Sequence, residues 1–226
     1  MPLVTTFDGR TLALWVNGSL GANEDGWTAC SSTWTACSAT TTATSASSIS
    51  ASMGTDRETA RAVMYTSEVE SRGDAGELDI DAYMAALSHG FGRTLGEAQW
   101  LEARQAATRV RPGMVRSCER LAAQVGIAVL TNNGFLIQRH LRDVAGGLFP
   151  LFDGKAFVSA EFGAKKPDLA CYERCLARLG VAPSRTLFVD DAEENVEGAR
   201  AAGIQAHTFV DEPTLTAWLA TFGLRG

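Results

Sequence analysis

Asp190 and Asp191 are adjacent carboxylates that close the apolar run Thr186-Leu187-Phe188-Val189 and open a helical stretch at 192–202. A strand ending there delivers both acids to the carboxyl edge of an α/β sheet, where such sheets place their ligands. Neighbouring anions repel and an unpaired buried carboxylate is costly, so a hard cation such as Mg²⁺ is one resolution. The plainer one is structural, with Asp191 capping the next helix and Asp190 paired to a lysine. Ile127-Ala128-Val129-Leu130 ends in Thr131-Asn132-Asn133-Gly134, ahead of a helical pattern at 135–144. A hydroxyl, amides and an approachable backbone suit a phosphate oxygen there, whereas an ordinary turn at Asn133-Gly134 needs no ligand. Lys166 precedes Pro167, which suits the first turn of a helix at 168–179, so this lysine's charge sits in the loop before that helix. A solvated loop lysine is the commoner fate of that residue type.

The elements needed to bring these residues together follow from hydropathy. Short apolar runs give strands at 3–7, 127–131, 156–159, 186–190 and 204–208, with helices between the last four. Such βα alternation makes a Rossmann-like, doubly wound parallel sheet with helices on both faces. Right-handed crossovers then bring Asp8, Thr131, Lys166 and Asp190-Asp191 to one edge. Residues 56–71 have helix-forming composition, 73–76 break it, and 79–88 resume with Ile80, Tyr83, Met84 and Leu87 on one face. A third helical stretch at 96–109 offers Trp100, Leu101 and Ala107 as apolar contacts; Tyr83 and Trp100 read as core rather than pocket residues.

Composition limits the function classes. A chain of 226 residues can bury a sizeable core. Its net charge of −6 argues against a nucleic-acid partner. No apolar stretch approaches membrane-spanning length, and the first ten residues lack a secretory pattern, so the expectation is a cytoplasmic protein, monomeric or homodimeric. The five cysteines show no zinc spacing, and Cys171 and Cys175, one helical turn apart, read as buried small hydrophobes. His89, His140 and His207 are scattered, with surface or loop roles expected. Between Gly26 and Thr55 no charged residue occurs, and Trp27-Thr28-Ala29-Cys30-Ser31 recurs as Trp34-Thr35-Ala36-Cys37-Ser38. This low-complexity region reads as a disordered Ser/Thr-rich insert or as translation out of frame, which sequencing of the source gene distinguishes.

Val129-Leu130-Thr131-Asn132, then Lys166-Pro167-Asp168, then the run from Leu187 through Asp190-Asp191, Asn195 and Gly198-Ala199 to Gly203-Ile204 resemble the haloacid dehalogenase-like (HAD) hydrolases. The likeness is to the branch with a small helical cap inserted after the first strand, and particularly to its sugar-phosphate phosphatases. It implies a core of 1–12 and 111–226 and a helical cap region of 13–110, of which 13–55 is the low-complexity part. It also implies a Mg²⁺-dependent phosphatase acting on a small phosphorylated metabolite through an aspartyl-phosphate. By position Asp8 and Lys166 are the catalytic residues, Thr131, Asn132 and Lys166 bind phosphate, and Asp8, Asp190 and Asp191 hold the metal; Asn195 supports their loop. The first motif departs from the family pattern, Asp-x-Asp-Gly-Thr-Leu, because Phe7-Asp8-Gly9-Arg10-Thr11-Leu12 carries Arg10 where the second acid belongs. That acid supplies general acid–base help of ~10²–10⁴-fold, so a catalytically impaired or non-catalytic protein is the alternative. The 2-haloacid dehalogenases, which carry Ser-Ser-Asn in place of Val189-Asp190-Asp191, rank below both.

Overall fold

The computed structural model describes residues 12–15, 47, 49–108, 110 and 112–225. Three strands form one ladder: β1 (Leu12–Trp15), β2 (Ala128–Thr131) and β3 (Ala156–Val158). β4 (Leu187–Asp190) and β5 (Gln205–Thr208) form a second. β2 and β3 run parallel with Thr131 opposite Val158, and β4 and β5 run parallel with Asp190 opposite Thr208. Four of the five expected strands are thus present within a residue of their expected bounds.

The first strand differs. The run at 3–7, with Asp8, lies outside the described residues, and β1 pairs antiparallel to β2 with Leu12 opposite Thr131, while packing beside β4. An antiparallel ladder satisfies backbone N–H and C=O groups as fully as a parallel one, and Leu12-Ala13-Leu14-Trp15 is an apolar run of strand length. An all-parallel pattern therefore does not extend to this strand.

Residues 57–107, expected as part of a cap, form α1 (Arg57–Arg61), continued by a π-helical turn (Ala62–Thr66), then α2 (Glu68–Asp74), α3 (Ile80–Phe91) and α4 (Glu97–Ala107). Side chains cap three starts: Asp56 accepts from Thr59 N, Ser67 from Glu70 N and Asp79 from Ala82 N. The expected break at 73–76 falls later, because α2 continues through Gly73 and the chain turns at Gly76 with φ of +74°. Met53, Met64, Leu87 and Trp100 are buried in the same apolar cluster as the sheet, and Tyr83 joins them. Within that cluster the Tyr83 hydroxyl donates to Glu70 Oε1 at 2.6 Å, and Arg104 Nη2 donates to the same oxygen at 2.7 Å and to Tyr83 at 3.1 Å. One carboxylate therefore ties α2, α3 and α4 together, since a buried charge is tolerated when paired and hydrogen-bonded.

The core helices are α5 (Pro112–Ala122), α6 (Phe135–Ala145), α7 (Leu169–Leu179), α8 (Glu193–Ala201) and α9 (Glu212–Ala220). β2 and β4 are buried along their whole length, as continuous apolar runs in a doubly covered sheet should be. Tyr172 of α7 meets Phe188 of β4 edge-on at 5.5 Å. Cys171 and Cys175 are buried beside them, and burial pushes the Cys171 thiol up to about 12 and Cys175 well above its ordinary value. Among the described residues no helix is long and apolar enough to cross a membrane.

Candidate functional site

Thr131 ends β2, Ser159 follows β3 and Asp190 ends β4, so the carboxyl ends of these strands gather polar groups that are themselves fully buried. Asp168 caps α7 by accepting from Ala170 N at 2.9 Å, which fixes the helix start just after Lys166-Pro167. The peptide between Lys166 and Pro167 is cis. Asn132 reads the lysine's backbone from both sides: its Nδ2 donates to Lys166 O at 2.8 Å, and Lys166 N donates to its Oδ1 at 2.9 Å.

So anchored, the Lys166 side chain is wholly buried, with Nζ donating to Asp190 Oδ2 at 2.8 Å and to Leu130 O at 3.1 Å. The Phe188 ring lies 5.6 Å from the ammonium. Asp190 Oδ1 accepts from Ala192 N at 3.0 Å and from Asn195 Nδ2 at 3.1 Å. Asn195 is fixed in turn, since the Tyr172 hydroxyl donates to its carbonyl at 2.7 Å. α8 approaches the Lys-Pro loop so closely that a Cβ on Gly198 would sit 2.5 Å from Pro167 O. A lysine and an aspartate are tolerated at this depth because each is paired and hydrogen-bonded.

On β2, Asn133 Nδ2 donates to Thr131 Oγ1 at 2.6 Å. The amide occupies a lone pair of the hydroxyl, and the O–H is a donor of the kind a phosphate oxygen requires. Asn133-Gly134 is not an ordinary turn but the entry to α6, with Gly134 at its N-cap.

Thr131, Asn132, Lys166, Asp190 and Asp191 thus share one edge, while Asp8 lies outside the described residues. Asp190 does pair with a lysine, as the structural alternative had it. The proposed cap by Asp191 is not seen: Ala192 is the N-cap of α8, with no side-chain cap bond, and Asp191 is half-buried. For a magnesium ion the donor chemistry fits, since the adjoining carboxylates are hard oxygen ligands. Asp190 has one oxygen committed to Lys166 and the other to two N–H donors. Among the described residues no three His, Cys, Asp or Glu side chains group as a metal set, and Mg²⁺ is commonly held by one or two carboxylates together with water and phosphate oxygens.

Other placements were not foreseen. His140 is not an isolated surface histidine, because its Nε2 meets Glu97 Oε1 at 2.5 Å and its Nδ1 meets Asp143 Oδ2 at 3.1 Å. Burial alone would lower its pKa, but the bonds to Glu97 and Asp143 outweigh that and raise it above the ordinary 6.5. His207 on β5 stacks on Trp218 at 4.9 Å, and burial, aided by Arg200, lowers its pKa. His89 is exposed. Ser159 was invisible as a site residue, because a single polar residue beside a strand end carries no periodic signal.

A family model for haloacid dehalogenase-like hydrolases matches residues 25–203. Phosphatase MT3486 of Mycobacterium tuberculosis (strain CDC 1551 / Oshkosh) is 38% identical over 81 residues, which are 36% of this chain and 37% of that protein. That phosphatase, a sesquiterpene phosphatase of Aspergillus oryzae and an enolase-phosphatase of Frankia alni are matched over 27–37% of their own length. Among solved structures, a HAD family enzyme of Bacteroides thetaiotaomicron in complex with magnesium and inorganic phosphate aligns with TM-score 0.61 at 16% identity, over 73% of this chain and 84% of that one. L-2-haloacid dehalogenase of Xanthobacter autotrophicus aligns with TM-score 0.52 at 19% identity, over 80% and 77%. At these identities the structural likeness shows a shared fold.

Proposed function

Because the chain belongs to the haloacid dehalogenase-like hydrolases, we propose that it is a Mg²⁺-dependent phosphatase of a small phosphorylated metabolite. The observation that carries this reading is the buried Lys166–Asp190 pair, 2.8 Å apart, set beside the Thr131 hydroxyl at one sheet edge. In this reading a carboxylate oxygen of Asp8 attacks phosphorus, the P–O bond to the leaving alcohol breaks, and water then hydrolyses the aspartyl-phosphate. The Lys166 ammonium offsets repulsion between the attacking carboxylate and the phosphate, and Thr131 donates to a non-bridging oxygen. Asn132 and Asn133 hold those two groups in place. Mg²⁺, held by Asp8, Asp190 and Asp191, supplies charge neutralisation when bound. Support also comes from the phosphatase named among the relatives and from the magnesium and phosphate held by the Bacteroides enzyme.

Arg10 favours a second reading, a phosphate-binding protein without turnover. The acid that should protonate the leaving alcohol is replaced by a guanidinium, which lowers the basicity of a neighbouring carboxylate. Turnover of p-nitrophenyl phosphate with and without Mg²⁺ separates the two. The phosphatase reading expects metal-dependent release of nitrophenol, abolished in Asp191→Ala; retention of inorganic phosphate binding with no release assigns the second. Release of chloride from 2-chloropropionate without metal would displace both in favour of a dehalogenase.

A further inference from the structure

Ser159 sits where cap and core meet, fully buried, and its hydroxyl serves both sides. Its Oγ donates to the Asp74 carbonyl at 2.7 Å, at the end of α2, and accepts from Asn133 N at 3.1 Å. Asn133 is the residue whose side-chain amide holds the Thr131 hydroxyl at 2.6 Å. A hydroxyl has one proton, and a second acceptor, Asn133 O, lies 3.4 Å from the same oxygen. With the cap seated, the proton belongs to Asp74 and a lone pair faces the Asn133 N–H. If the cap lifts, Asp74 O is withdrawn, and turning the proton to Asn133 O at 3.4 Å or to entering water frees the hydroxyl from its orientation toward the N–H.

The rest of the seam is equally tight. A Cβ on Gly76 would meet Ala160 O at 2.4 Å, and one on Gly134 would meet Gly73 O at 3.2 Å, so backbone lies directly on backbone. Lys165 Nζ donates to Ser71 Oγ at 2.7 Å, one residue from the site lysine. Ala160 N donates to Asn133 O at 3.3 Å, occupying part of the alternative acceptor.

We propose that Ser159 is a positioning residue that couples cap seating to the phosphate-holding loop: a seated cap, through Asp74 O, Ser159 and Asn133, sets the orientation of the Thr131 hydroxyl. The loop is then competent only when the cap has closed over its substrate, which links selection by the cap to chemistry at the sheet edge. The catalytic consequence rests on the phosphatase reading, whereas the coupling itself does not.

The test uses Gly76→Ala, whose Cβ would meet Ala160 O at 2.4 Å and so forces the seam apart, together with Ser159→Ala and the double variant of the full chain. Hydrogen exchange at the Asn133 amide reads the coupling. Gly76→Ala should speed it about tenfold, the scale of one lost hydrogen bond, and unchanged exchange overturns the proposal. Where turnover of p-nitrophenyl phosphate is measurable, each single variant should lower kcat more than it raises KM, and the double variant should be no worse than Ser159→Ala alone. Additive losses overturn the coupling. If the wild-type chain shows no turnover while Gly76→Ala still accelerates exchange at Asn133, the coupling stands and the phosphatase reading fails. Should Ser159→Ala not fold, the Gly76→Ala exchange result decides alone.

Discussion

Lys166 shows how much one side chain can depend on its frame. Its ammonium is wholly buried against an equally buried Asp190, and Leu130 O, Ala192 N and Asn195 Nδ2 supply further hydrogen bonds to the pair. Removing one member of such a pair leaves an uncompensated charge. Lys166→Met should therefore destabilise the fold by ~3–5 kcal/mol, read as a shift of the urea midpoint at constant slope. A loss below 1 kcal/mol would mean that water or a cation takes over the role of the ammonium. Asn132→Ala breaks two bonds to the Lys166 backbone. A loss of ~1–3 kcal/mol is expected from the unsatisfied buried groups it leaves, measured the same way.

At the scale of elements, contacts between helices decide behaviour that no helix carries alone. Glu97 at the start of α4 receives Arg139 at 3.1 Å and His140 at 2.5 Å from α6, which fastens α4 to α6. The backbone of α6 departs from helical geometry at His140, with φ of −105° and ψ of 18°, where the ring turns to its carboxylates. The bond from His140, helped by Arg139, holds Glu97 below its ordinary 4.5. A raised histidine contributes stability that is complete below 6.5 and is lost as pH rises through its folded value. A depressed glutamate contributes above 4.5 and loses it as pH falls through its folded value. Both contributions are present between those two ordinary values, so the fastening should be firmest in mildly acid solution. Titrating the His140 ring by NMR should show its pKa falling back toward 6.5 in Glu97→Gln; an unmoved titration would remove Glu97 as the cause. The contact of α8 with the Lys-Pro loop is equally particular. Gly198→Ala sets a Cβ 2.5 Å from Pro167 O, and overpacking of this kind costs about 1–3 kcal/mol, visible in thermal melts.

For the whole molecule, the site is an assembly of distant parts, since Thr131, Lys166 and Asp190 come from three segments spanning 60 residues. A ligand that binds only the assembled edge stabilises the entire fold, by ~2.7 kcal/mol at a hundredfold excess over its dissociation constant. Mg²⁺ with inorganic phosphate should accordingly raise the melting temperature of the wild-type chain and leave Asp191→Ala unchanged. An equal shift in both proteins would place the ions elsewhere.

The sequence by itself determined the strands at 128–131, 156–158, 187–190 and 205–208 and the residues at their carboxyl ends, because continuous apolar runs closed by polar residues are local signals. It also determined that Tyr83 and Trp100 are core and that Cys171 and Cys175 are buried, since helical spacing sets which residues share a face. Only the tertiary structure decided that Asp190 takes Lys166 rather than standing open, that Asp191 does not cap α8, that β1 runs antiparallel, and that His140 bridges two carboxylates. Each of these depends on which segments meet in space. Ser159 makes the point most sharply: its partners Asp74 and Asn133 lie 85 and 26 residues away, a separation over which no pattern in the chain records a hydrogen bond.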